Sequence, residues 1–315
     1  MLQIKRILCP VDFSDFSVKA YRYACALAHD YGAKLAVQHV TEQVMVTPHV
    51  VSGSLDKIFR ELEAGAKSHL REFAHQYGSH DVQPELFNQT GFVADSILLL
   101  AEHQAADLIV MGTHGRRGVD HTALGSVTEK VLRKATCPVL VVRKPVHDFA
   151  DPTWEHNPVR LWKILFCTDF SENSDRALNY AVSLATQYQA QLILIHVLED
   201  LPSEAGIDTA TAELVERMER PVPSDLRCRL ELRSVVRIGK AHEQIIQLAL
   251  ESKADLVVMG VMGRNALDLA LFGSTTHRVI QMGTCPVFVV PPEAKALSKQ
   301  QVACGVADSI PLLST

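Results

Sequence analysis

The chain contains no Cys-x-x-Cys pair, no apolar run near the roughly 18 residues of a membrane span, and no excess of positive charge. Each absence removes a class of protein. Its seven cysteines, Cys9, Cys25, Cys137, Cys167, Cys228, Cys285 and Cys304, are odd in number and scattered over 315 residues, which argues for reduced thiols rather than a disulfide framework. Lys and Arg number 31 against 36 Asp and Glu, and neither half of the chain is basic, so there is no electrostatic footprint for nucleic acid. Residues 1–11 include Lys5 and Arg6 but no small-residue cleavage site after an apolar core, and so do not read as a signal peptide. A cytoplasmic protein with no membrane and no nucleic-acid partner is expected.

Familiar catalytic signatures are missing as well. There is no Gly-Lys-Ser/Thr phosphate loop, no G-x-G-x-x-G fingerprint, no H-E-x-x-H and no G-x-S-x-G elbow. The 14 histidines adopt no defensible metal-ligand spacing. His39 and His196 read as packed or hydrogen-bonded residues, and His114 and His121 have no counterparts later in the chain. Cys137 and Cys285, each followed by Pro, read as small buried hydrophobes. No catalytic residue and no metal ligand is assigned.

What is present is a repeat. Residues 4–40 align with 161–197, and 107–142 with 255–290, with nearly half of the positions identical. The matches include Ile7/Ile164, Asp12/Asp169, Ser14/Ser171 and Val40/Val197. The offset falls from 157 to 148, so the second copy is nine residues shorter somewhere between Val197 and Gly239. A length that suggests two domains therefore becomes two homologous copies. The expected division is a first domain over 1–144, a linker over 145–160 marked by Pro145, Asp151-Pro152 and Asn157-Pro158, a second domain over 161–292 and a tail over 293–315.

In copy one, strands are predicted at Arg6 to Val11, Leu35 to Val40, weakly at Pro84 to Asn88, then at Leu108 to Met111 and Val139 to Arg143. Helices are predicted at Asp15 to Asp30, Leu55 to Gln76, Ser96 to His103 and Ser126 to Lys134. Copy two repeats the strands at Ile164 to Cys167, Leu192 to Val197, Leu256 to Met259 and Val287 to Val290. Strands alternating with helices give an α/β fold: two tandem Rossmann-like domains, each an open five-stranded parallel sheet with helices on both faces. Continuous apolar runs such as Leu108-Ile109-Val110-Met111 match strands buried on both sides.

In such a sheet, ligands bind beyond the carboxyl ends of the strands. There the chain has Gly112-Thr113-His114-Gly115, nine residues, then Gly125-Ser126; the second copy has Gly260-Val261-Met262-Gly263, nine residues, then Gly273-Ser274. Glycines let backbone N–H groups approach a ligand without an intervening Cβ, and a helix opening at Ser126 or Ser274 turns its unpaired N–H groups and positive dipole end to the loop. The pattern reads as a phosphate cradle without a lysine, suited to holding a nucleotide rather than hydrolysing it quickly. Strand-to-loop turns for Gly112 and Gly260, helix capping for Gly125-Ser126, and N-capping near Asp12 and Asp169, helped by Ser14 and Ser171, stand as alternatives.

On these residues the chain resembles a tandem universal stress protein with two domains of the UspA type. Further carriers are Pro10-Val11-Asp12, Cys167-Thr168-Asp169, His39-Val40, His196-Val197, Thr136-Cys137-Pro138-Val139 and Thr284-Cys285-Pro286-Val287. Family members with this glycine pattern generally bind ATP. The resemblance implies that Asp12 and Asp169 lie near base and ribose, with Pro10, Val11 and Thr168 beside them, and that Val40 and Val197 contact adenine. Ribose and phosphates would fall to Met111, Gly112, Gly115, Gly125 and Ser126, and to Met259, Gly260, Gly263, Gly273 and Ser274, with Val127 and Thr275 as lesser contacts and Arg116 and Arg264 as further nucleotide-binding residues. ATP, with or without Mg2+, is the implied cofactor, and a stress-response regulatory role is the implied function. A non-nucleotide interaction module and a slow ATPase are the alternatives. Domains of this type often pair through their final strands, which would join Val139 to Val142 with Val287 to Val290 as an internal pseudo-dimer; burial within each sheet accounts equally for those runs. Association of two whole chains is left open.

Overall fold

The apolar runs become strands whose residues point alternately into two cores. Ile7 and Cys9 enter one hydrophobic cluster and Leu8 the other, and all three are essentially inaccessible to solvent. The structure, a computed structural model, describes residues 2–42, 52–79, 81–113, 124–143, 148–151, 153, 159–199, 207–261, 273–292 and 294.

Copy one runs β1 (Arg6–Pro10), α1 (Asp15–Tyr31), β2 (Lys34–Glu42), α2 (Ser52–Tyr77), β3 (Glu85–Gly91), α3 (Val93–His103), β4 (Leu108–Gly112), α4 (Ser126–Lys134) and β5 (Val139–Val142). Copy two runs β6 (Lys163–Cys167), α5 (Glu172–Tyr188), β7 (Gln191–Leu198), α6 (Ile207–Glu219), α7 (Ser224–Arg227), β8 (Leu232–Ile238), α8 (Ala241–Ser252), β9 (Leu256–Gly260), α9 (Ser274–Met282) and β10 (Val287–Val290). The shortening of copy two falls where α2, with 26 residues, is replaced by the 13 residues of α6 and the four of α7.

Most boundaries lie within a few residues of expectation, and the departures have physical causes. Helix α3 begins at Val93 rather than Ser96, because Ala94 and Ile97 pack onto the sheet although Phe92 offers no side-chain cap. Strand β3 is displaced along the chain to Glu85–Gly91, the stretch that pairs with Ala36 through Glu42 of β2. Strand β5 stops at Val142 rather than Arg143.

The strand order is β3-β2-β1-β4-β5-β10-β9-β6-β7-β8 in a single ten-stranded sheet. Every pairing is parallel except β5 with β10, where Val141 faces Val287, Leu140 faces Phe288 and Val139 faces Val289. The final strands thus join the copies. Because the halves run in opposite directions, the carboxyl ends of β1 and β4 face one side of the molecule and those of β6 and β9 the other. Both cores continue across the join: α1, α2, α5 and α6 cover one face, and α3, α4, α8 and α9 the other.

Between the copies, residues 148–151 pack against α1. Phe149 is buried edge-on to Tyr23 at 5.0 Å, Tyr23 donates to Asp148 at 2.8 Å, and Lys19 pairs with Asp148. Among the described residues, no helix is long and apolar enough to cross a membrane.

The duplication supplies its own control for one local conformation. Helix α1 ends on Gly32 at φ 59°, whereas α5 ends on Gln189 at φ 52°, both left-handed. A side chain there is strained, while glycine is not, although glycine loses more entropy on folding. Gln189→Gly is expected to stabilise the protein by about 0.5–1 kcal/mol and Gly32→Gln to destabilise it by about as much. Urea denaturation of both variants checks the paired signs.

Candidate functional site

Strand order reverses between β1 and β4 in the first half and between β6 and β9 in the second, the places where an open parallel sheet offers a ligand crevice beyond its strand ends. Pro10 ends β1, with Val11 and Asp12 directly after it; Met111 and Gly112 end β4; Val40 lies near the end of β2. Gly125 is the N-cap of α4, which Ser126 and Val127 open. Copy two places Thr168 and Asp169 after β6, Val197 in β7, Met259 and Gly260 at the end of β9, and Gly273, Ser274 and Thr275 at the start of α9. Gly115, Arg116, Gly263 and Arg264, with His114, His121 and Met262, lie outside the described residues.

The two ends of each glycine loop are clipped together. Gly125 N–H donates to the Thr113 carbonyl at 2.9 Å, and Thr113 N–H donates to Val142 at 3.2 Å; in copy two Gly273 donates to Val261 and Val261 to Val290, both at 3.1 Å. A second clasp was not anticipated from sequence. The hydroxyl of Thr128 donates to the Gly112 carbonyl, and that of Thr276 to the Gly260 carbonyl, both at 2.9 Å. Their signal was there, since the threonine recurs at the same place in both copies. Strand end and helix start therefore form one rigid unit in each half.

Gly112 is needed for close approach. A Cβ built on it would stand 2.9 Å from the Phe16 Cβ and 3.1 Å from the Phe16 backbone, so β4 could not reach the start of α1. At Gly260 the corresponding obstacle is the Asn173 amide nitrogen, at 2.6 Å.

Capping separates two kinds of helix start. Helices α1 and α5 are closed by Ser14 and Ser171, whose hydroxyl oxygens accept from Ser17 N–H at 3.3 Å and Ser174 N–H at 3.2 Å. Helices α4 and α9 start on glycine, with no side-chain cap. Their first-turn N–H groups present a positive dipole end beyond the strand ends, an arrangement chemically suited to an anion.

Asp12 and Asp169 take part in the local turn. One carboxylate oxygen of Asp12 accepts from Ser14 N–H at 3.1 Å and Ser14 hydroxyl at 2.7 Å, and Asp169 accepts from Ser171 at the same two distances. The serines are the N-caps; the aspartates orient them. Between each pair sits a phenylalanine in the left-handed region, Phe13 at φ 67° and Phe170 at φ 62°. Such a conformation costs about 1–3 kcal/mol and persists where surrounding contacts enforce it. Here ring packing does so: Phe13 lies 4.3 Å from His39 and 4.2 Å from His69, and Phe170 lies 4.4 Å from His196. The two histidines close the frame, with their Nδ1 atoms 2.9 Å from the carbonyls of Val11 and Thr168.

The copies differ beside this turn. The Arg217 guanidinium lies 4.1 Å from the centre of the Phe170 ring, on the helix that replaces the one bearing His69. Burial holds the nearby Asp175 carboxyl above its ordinary range, opposed by the Arg217 charge. Cys285 is buried and its thiol is pushed up to about 12 by desolvation, so it is not poised as a nucleophile. Among the described residues, no three His, Cys, Asp or Glu side chains gather as a metal site.

Comparison with known proteins bears on the family and the fold. The model of the universal stress protein family matches residues 3–143 and again 162–291. A universal stress protein of Methanocaldococcus jannaschii is 35% identical over 147 residues, covering 45% of this chain and 83% of that protein. One from Mycolicibacterium smegmatis is 27% identical over 306 residues, covering 91% of this chain and 97% of that one. The crystal structure of a universal stress protein from Archaeoglobus fulgidus superposes with a TM-score of 0.65 at 24% identity over 91% of this chain and 96% of its own, a likeness of fold.

Proposed function

Because the chain belongs to the universal stress protein family along both of its halves, we propose that it binds an adenine nucleotide, ATP foremost, at one site in each copy and acts as a nucleotide-dependent regulatory protein of the stress response. The observation that carries this reading is the pair of glycine-started helices, α4 and α9, clipped to the strand ends and lacking side-chain caps. An uncapped helix start fits a phosphate group, since it offers several N–H donors and a favourable dipole to a ligand rich in acceptors.

In this reading Gly112, Gly125, Ser126 and Val127, and Gly260, Gly273, Ser274 and Thr275, hold the phosphates, with Gly115, Arg116, Gly263 and Arg264 as further members of the loops. Met111 and Met259 border the ribose. Asp12 and Asp169, with Pro10, Val11 and Thr168, border ribose and base, and Val40 and Val197 contact the adenine. ATP would supply a triphosphate to be sensed, and Mg2+ would arrive on those phosphates. No side chain is assigned a catalytic role, and a cytoplasmic setting goes with the reading.

The test is direct. Nucleotide is released from freshly purified protein by denaturation and identified by chromatography, and emptied protein is titrated with ATP. One adenine nucleotide per copy is expected at saturation. Protein that carries no adenine nucleotide and shows no saturable binding would overturn the proposal.

A further inference from the structure

The outer edges of the ten-stranded sheet are β3 and β8, and they are built differently. Strand β8 carries Arg233 and Arg237, the latter ion-paired with Glu251, while Ser234 donates to Glu219 at 2.6 Å. Charges of this kind discourage another strand from adding to an edge. Strand β3, Glu-Leu-Phe-Asn-Gln-Thr-Gly, has one charged residue, Glu85, at its very start. Its outer side has no strand partner among the described residues.

A groove of about 340 Å³ runs between this edge and α2, lined by Lys67, Leu70 and Arg71 of the helix and by Leu86 to Gln89 of the strand. Leu70 forms a buried floor, and Leu86 is 36% exposed above it. Lys67 and Arg71 are exposed, and neither has an ion-pair or hydrogen-bond partner among the described residues. The Oδ1 of Asn88, in the groove wall, has no hydrogen-bond partner.

We propose that this edge docks an extended acidic peptide, which adds to β3 as a further strand and sets two alternate carboxylates against Lys67 and Arg71. The dimensions agree. Four residues of helix rise about 6 Å, and alternate residues of a strand are about 6.6 Å apart on one face. One helical turn of cations thus matches two acidic residues separated by one. Main-chain bonds to the open edge supply affinity, and the cations over an apolar floor select the sequence. A second copy of the chain fits less well, because its own β3 brings a single carboxylate.

The test uses full-length protein and a fluorescein-labelled heptapeptide of alternating Glu and Val, followed by anisotropy. Saturable binding that weakens with added salt is expected. Lys67→Glu combined with Arg71→Glu is expected to weaken it by about tenfold or more, with unchanged circular dichroism, since both side chains are exposed. The same peptide N-methylated at alternate backbone nitrogens should bind at least as poorly, because a charge-only contact would survive that change while strand addition would not. No binding, equal binding of the methylated peptide, indifference to the charge reversal, or displacement by inorganic phosphate would each overturn the proposal. Self-association of the unliganded chain that the charge reversal abolishes would overturn it in favour of a second copy.

Discussion

Gly125→Val combined with Gly273→Val is expected to abolish the proposed ATP binding and to leave the protein folded. Gly125 sits at φ −63° and ψ 138°, and Gly273 at φ −57° and ψ 123°, conformations open to any side chain. Neither position needs glycine for its backbone. A branched side chain at the cap instead projects where a phosphate must lie to reach the first-turn N–H groups. Losing two charge-assisted hydrogen bonds, each worth about 1.5–3 kcal/mol, corresponds to a drop in affinity of about a hundredfold or more. The structural cost is that of an inferior N-cap, about 1 kcal/mol per helix. Each single variant should halve the nucleotide bound at saturation, because the two crevices lie at opposite ends of the sheet and each has its own loop. Isothermal titration with a parallel urea curve separates the effects. ATP affinity within threefold of the parent in the double variant would remove the glycine loops from the site.

The loop spacing and the repeat marked the strand ends and helix starts that the fold brings together, and the pairing of the final strands came from the resemblance alone because the residues themselves are ambiguous there. Val139 to Val142 and Val287 to Val290 are apolar whether each is an edge strand or joined to the other, since both faces of either strand are covered by helices in any case. Pairing is a matter of backbone edges, and side-chain pattern is silent about edges. Phe13 and Phe170 were equally opaque. Phenylalanine is not a residue associated with positive φ, and only the repetition of Asp-Phe-Ser in both copies marked the turn. The same holds for Gln189, where the first copy has the expected glycine and the second does not. Capping was half legible: the pattern placed it near Asp12 and Asp169 with help from Ser14 and Ser171, whereas the serines are the caps and the aspartates hold them, and α3 starts after Phe92 because of what it buries.

The antiparallel join has a consequence as large as that of the loops. Phe288 is 4% exposed, faces Leu140 across the join, and has its ring 5.8 Å from Tyr180. Truncating such a ring costs about 3–5 kcal/mol, from lost burial and from the cavity left behind. That is a large share of the roughly 5–15 kcal/mol that holds a typical domain folded. Were the halves independent, Phe288→Ala would loosen the second and spare the first. The cores, however, run through the join, with Leu140 and Val142 in the same cluster as Phe288 and Val290. The expected result is a single urea transition, shifted to lower denaturant with its slope retained, and seen alike by ellipticity and by amide exchange. Protection at Val37 in β2 and at Leu194 in β7, both fully buried, should fall together, because each is released by the same global opening. Two separated transitions, with protection lost at Leu194 and kept at Val37, would show that β5 and β10 meet without coupling the stability of the copies.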